Sequence, residues 1–91
     1  MENDNEINII KAYSFFVKNE LKPKNQIMKF ITKEDISRFL DISTIEAQDI
    51  IDKLFSQSVI TMKYEYETVH FNGDKEIKPV GYRFLPISVL I

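Results

Sequence analysis

Few residues in this chain have a catalyst's chemistry, and their spacing does not gather them. Two groups of carboxylates have suggestive spacing: Glu34 and Asp35 are neighbours, and Glu46, Asp49 and Asp52 follow at three-residue steps. Paired carboxylates can exchange protons with a substrate or share a hard cation. Two carboxylates on one exposed helix, however, make a weak ligand set without a third donor. Glu34 and Asp35 are better explained as first-turn residues favoured by a helix dipole. His70 is the one histidine, alone on a predicted strand, and no nucleophile–base constellation is visible. Cysteine is absent, which excludes disulfides and thiolate metal sites. No glycine-rich phosphate loop is present. These residues predict a non-enzymatic chain with no cofactor, no metal and no small-molecule ligand.

The charge is unevenly placed. Residues 1–10 carry −3, residues 11–38 carry +4, residues 39–57 carry −3 and residues 58–91 are neutral, for a net −2. The chain therefore has a basic middle and an acidic stretch after it. That balance is not the footprint of a general nucleic-acid coat. A solvated surface accounts for the asymmetry without any function, and docking onto a charged partner is the functional reading.

The elements that must position these residues follow from periodicity. Apolar residues at Ile7, Ile10, Tyr13, Phe16 or Val17, and Leu21 step by three and four, which predicts a helix over 6–21. Pro23 ends it. Met28–Ile31 reads as a very short strand. Thr32 with Asp35 can cap a second helix, and Ile36, Phe39 and Leu40 form its apolar face. Ser43 with Glu46 makes a fuller capping box for a third helix, with Ala47, Ile50, Ile51, Leu54 and Phe55 on one face. From Val59 the period becomes two. Ile60, Met62, Tyr64 and Tyr66 predict a half-buried strand. Asn72–Gly73 marks a hairpin turn, and Val80, Tyr82 and Phe84 lie on the return strand. The stretch from Thr68 to Pro79 is read as a polar loop or ribbon tip.

This order resembles the winged helix-turn-helix superfamily. The segment that carries the resemblance is Ile31–Ile60, ITKEDISRFLDISTIEAQDIIDKLFSQSVI, and with the hairpin it extends over about residues 28–84. An apolar residue and Thr32 open it, then Glu34, Asp35 and Ile36. Leu40 and Ile42 flank the tight turn. Ala47, Ile51 and Leu54 form the buried side of the recognition helix. The superfamily favours glycine at the turn and before the wing, where this chain has Asp41 and Ser58. Aspartate takes the left-handed conformation at modest cost, and serine is a poorer choice. The fold class implied is α+β: a small winged helix of three helices, a short strand and a C-terminal β-hairpin wing. A single winged-helix domain over 1–91 is expected, with residues 1–5 disordered. Apolar residues at 44% and charged residues at 29% fit one globular unit of 91 residues.

The resemblance implies DNA reading by the third helix. Its outward positions here are Thr44, Ile45, Gln48, Asp49, Asp52 and Lys53. DNA readers favour arginine, lysine, asparagine and glutamine at such places. An acidic face is repelled by phosphates. Candidate phosphate contacts are Lys22, Lys24, Lys33 and Arg38, with Lys75 and Lys78 near the hairpin tip. Asp74 and Glu76 offset the last two. Tyr64, Tyr66 and Tyr82 could stack on bases, and at strand spacing they are read as cross-strand packing. Candidate oligomer contacts are Ile9, Phe15 and Phe16 on the first helix and Val89, Leu90 and Ile91 at the end. The apolar end from Leu85 is otherwise read as a last strand on the core.

The acidic N-terminus lacks the pattern of a secretory signal, and no apolar run approaches a membrane span, so a cytoplasmic location without membrane contact is expected. The function expected is a winged-helix binding module, a protein–protein interaction subunit or adaptor of a larger nucleic-acid-related assembly. The alternative is a small homodimeric DNA-binding transcription regulator using the third helix and the wing. Partners are accordingly a protein or a second copy, with duplex DNA in the alternative.

Overall fold

In a computed structural model, the backbone is described for residues 2–90 and side chains for residues 5–88. Three helices come first: α1 (Glu2–Glu20), α2 (Lys33–Leu40) and α3 (Thr44–Ser56). A long hairpin follows, β1 (Ile60–Phe71) and β2 (Asp74–Pro86), and a 3-10 turn covers Ile87–Leu90. The strands are antiparallel, with Ile60 opposite Pro86 and Phe71 opposite Asp74. This is the small α+β layout of three helices and a C-terminal hairpin. Among the described residues no helix is long and apolar enough to cross a membrane.

Several local expectations are revised. α1 begins at Glu2, so the backbone of residues 2–5 is helical rather than disordered. Its buried side shares only part of the predicted stripe, Phe16 in the core and Tyr13 packed against it. Ala12, Phe16 and Asn19 are buried, whereas Ile7, Ile10 and Leu21 are exposed. The predicted stripe obeyed the helical period, but so did this one. Ala12 allows close approach to the neighbouring helices, and the Asn19 amide has backbone partners. The Met28 N–H donates to Asn19 Oδ1 at 2.9 Å, and Asn19 Nδ2 donates to the Met28 carbonyl at 3.1 Å. This clamp satisfies a buried polar side chain and fixes the chain that follows α1.

The short strand at 28–31 is reduced to one parallel bridge, Phe30 to Tyr82, with the Ile31 N–H donating to the Tyr82 carbonyl at 3.0 Å. The close approach depends on Gly81. A Cβ there would stand 2.6 Å from the Lys29 carbonyl oxygen.

The helix caps reverse the expected ranking. Thr32 and Asp35 form the complete box: Thr32 Oγ1 accepts from the Asp35 N–H, and Asp35 Oδ2 accepts from the Thr32 N–H at 2.8 Å. Ser43 accepts from the Glu46 N–H at 3.1 Å, and no return bond from Glu46 is made. Asp41 (φ 56°) and Ser58 (φ 58°) are both left-handed, the conformation that glycine adopts most easily. Asn72 and Gly73 also have positive φ, as the tight hairpin turn requires.

The core is one cluster. Phe16 of α1, Ile36 of α2, Ala47, Ile50, Ile51 and Leu54 of α3, and Ile60 and Phe84 of the hairpin are buried together. Phe84 meets Phe16 at 5.3 Å and Phe55 at 5.9 Å between ring centroids. Phe16 is therefore a core residue and not an oligomer contact.

A buried ion network joins α1 to the hairpin. The side chains of Arg83 and Glu20 are 2% and 7% exposed. Arg83 Nε and Nη2 donate to the two oxygens of Glu20, at 2.5 and 3.1 Å. Arg83 Nη1 lies 3.2 Å from Glu65 Oε1, a charge contact without hydrogen-bond alignment. The Glu20 hydrogen bond raises the Arg83 pKa most, burial opposes it and Glu65 adds to the rise, so the guanidinium stays charged.

Two stability outcomes follow, both checked by urea unfolding. Glu20→Ala leaves Arg83 with only its weaker partner and lowers stability by about 3 kcal/mol, while Glu20→Met with Arg83→Met recovers most of the loss. Ser58→Gly removes a left-handed serine and raises stability by roughly 0.5–1 kcal/mol.

Candidate interaction surface on the third helix and hairpin

α3 presents its outer face because its inner face is committed to the core. Ala47, Ile50, Ile51 and Leu54 are buried, and Thr44, Ile45, Asp49, Asp52 and Lys53 are exposed on the other side. Gln48 is half-buried and donates from Nε2 to Asp52 Oδ1 at 2.9 Å along the same helix. The one amide suited to reading a base edge thus has an intramolecular partner. Glu46 is also exposed, so three carboxylates face solvent against Lys53. Ile45 is 75% exposed in front of them. An open groove between α3 and the first turns of α1 is lined by Asn5, Asn8, Glu46, Asp49, Asp52 and Lys53.

The predicted phosphate contacts are all exposed but lie in separate places. Lys22 and Lys24 follow the end of α1, Lys33 and Arg38 are on α2, and Lys75 and Lys78 are near the hairpin tip. Arg38 pairs with Asp35 at 2.5 Å, and Lys78 lies 3.9 Å from Glu76. Lys22, Lys24, Lys33 and Lys75 make no ion pair among the described residues. Among the described residues no cluster of three or more His, Cys, Asp or Glu side chains could hold a metal.

The apolar candidates divide. Ile9 and Phe15 are half-buried against the core cluster. Phe15 packs on Phe39, with ring centroids 4.7 Å apart. The expected last strand ends at Pro86, and the chain continues in the 3-10 turn. There the Ile87 N–H donates to the Val59 carbonyl at 2.9 Å, and Tyr13 shares a hydrogen bond with Ser88 at 2.7 Å. The side chains of Val89 and Leu90, and the whole of Ile91, lie outside the described residues.

The hairpin extends well beyond the body. Ile60 and Met62 are covered, but Tyr64 and Tyr66 are 55% and 59% exposed, not half-buried as the alternation predicts. A strand of this length spans about 40 Å, more than a body of this size can cover. The molecule measures 58 × 29 × 24 Å. Of the loop and the ribbon read for the stretch Thr68–Pro79, the ribbon forms, paired up to the Asn72–Gly73 turn. Cross-strand packing of the tyrosines is present: Tyr64 lies 6.4 Å from Tyr82, and Tyr82 lies 5.6 Å from Phe30. Tyr64 also stacks on Tyr66 at 6.5 Å. The four rings form one row that solvent reaches. Phe71 and Ile77 near the tip are exposed as well.

The sequence reading missed Asn19, Glu20, Glu65 and Arg83 as a set. One signal was present. Arg83 sits inside the run Val80–Pro86, which is apolar on both sides of the strand alternation, and an arginine there must be paired.

No protein-family model matches the chain, and no match was found among curated proteins or solved structures.

The two faces of α3 separate stability from binding. Ile45→Ala changes stability by less than about 0.5 kcal/mol, whereas Ile51→Ala lowers it by roughly 2–5 kcal/mol; thermal unfolding of the two variants checks both.

Proposed function

We propose that this chain is a winged helix-turn-helix used as a non-enzymatic protein-binding module, a subunit or adaptor of a larger nucleic-acid-related assembly in the cytoplasm. The superfamily reading rests on the helix order, the Asp41 turn between α2 and α3, and the hairpin that follows. The binding reading rests on one observation: the exposed face of α3 carries Glu46, Asp49 and Asp52 behind an exposed Ile45. An isoleucine followed along the helix by carboxylates suits a partner with an apolar pocket beside a basic patch. The same face opposes phosphates. The second reading, a DNA-binding regulator, is supported by the exposed Lys22, Lys24, Lys33 and Lys75, and it needs DNA to meet α2 and the hairpin tip rather than α3.

A duplex-DNA titration across a salt series distinguishes them. On the binding-module reading, the protein shows no measurable affinity for random duplex at low salt. Asp49→Lys with Asp52→Lys then creates a salt-sensitive affinity. Tight binding by the unaltered protein that Lys33→Glu weakens would overturn the proposal in favour of the regulator.

A further inference from the structure

The free edge of β1 is the least explained feature of the fold. β1 pairs with β2 on one side, and no described strand pairs with its other side. It runs for 12 residues, ITMKYEYETVHF, without proline or glycine. Long exposed edges are usually interrupted by a bulge, a proline or a covering loop. Here the one irregularity leaves β1 regular: Glu65 faces Gly81 and Tyr66 faces Pro79, so the extra residue, Val80, is on β2.

The backbone direction can be worked out. The Tyr82 carbonyl accepts from Ile31, on the side away from β1. In an antiparallel strand a residue's N–H and C=O point to the same side. Tyr82 and its partner Tyr64 are therefore a non-hydrogen-bonded pair, and the N–H and C=O of Tyr64 face the free edge.

We propose that two copies of this chain pair antiparallel through β1, centred on Tyr64, to form one four-stranded sheet. The charges select the register. A two-fold axis at residue 63 sets Lys63 against Lys63 of the second copy. An axis at 65 sets Glu65 against Glu65, and one at 66 sets Glu65 against Glu67. An axis at Tyr64 sets Lys63 against Glu65 twice and Met62 against Tyr66 twice, with Tyr64 facing itself. The outward N–H and C=O of the two Tyr64 residues then bond each other. The row Phe30–Tyr82–Tyr64 continues across the axis into the same three rings of the second copy. The pairing also supports a ribbon that has only two strands along most of its length. It uses no part of the α3 surface, so it stands or falls apart from the binding-module reading.

Sedimentation of the full chain measures the association. The expected mass at micromolar concentration is twice 10.7 kDa. Lys63→Glu replaces two attractive pairs with repulsive ones and weakens association roughly tenfold. Tyr64→Pro abolishes it while keeping the β1–β2 ladder, because the N–H it removes faces outward. A cysteine scan reads the register directly, since the chain has no cysteine of its own. Tyr64→Cys crosslinks to a dimer on mild oxidation, because only the residue on the axis meets its own copy; Met62→Cys and Tyr66→Cys do not. A monomer mass at every concentration up to about a millimolar, or crosslinking favoured at 62 or 66 over 64, would overturn the proposal.

Discussion

The arrangement of this molecule turns on one buried cation. Arg83 lies in the second strand of the hairpin, almost wholly out of water, and an isolated charge there would be prohibitively costly. It is tolerated because Glu20 meets it with both oxygens and Glu65 stands at its remaining nitrogen. Those partners come from the last residue of α1 and from the neighbouring strand, so the requirement fixes where the helix ends relative to the sheet. Asn19, one residue earlier, holds the Met28 backbone, and that segment in turn bridges to Tyr82. Two adjacent side chains on one helix end thus anchor both the connecting segment and the base of the hairpin.

Local rules made much of this legible. Alternation, capping residues and Asn72–Gly73 indicate the element order, and the turn at Asp41 and the conformation at Ser58 follow from where helices and strand must stop and start. The α3 face was legible too, because the apolar positions of a helix define its wet side. What failed were choices that only long-range partners can make. α1 offers two stripes at helical spacing, and the buried one holds a small alanine and an asparagine whose amide needs a backbone nine residues away. The alternation of β1 shows which side of the strand is apolar but not how far the body reaches along it. Arg83 looked like balanced surface charge because its main partner is 63 residues away.

The stabilising core and the proposed binding surface occupy different parts of the chain. The aromatic and aliphatic side chains that hold the three helices together are drawn from the inner faces of all three and from the hairpin base. The outer half of the hairpin and the outer side of α3 contribute little to that cluster. Such surfaces are free to change under selection for a partner without unfolding the domain.

The aromatic row on the hairpin also determines what light can report about this protein. The chain has no tryptophan, and three of its four tyrosines, Tyr64, Tyr66 and Tyr82, belong to that row. The rings within the core cluster are phenylalanines, which absorb and emit weakly, and Tyr13 is the one tyrosine packed against it. Near-ultraviolet signals therefore come mainly from the sheet surface, with Tyr13 as the reporter on the helical side. A melting curve followed by tyrosine absorption or emission is in effect weighted toward the hairpin.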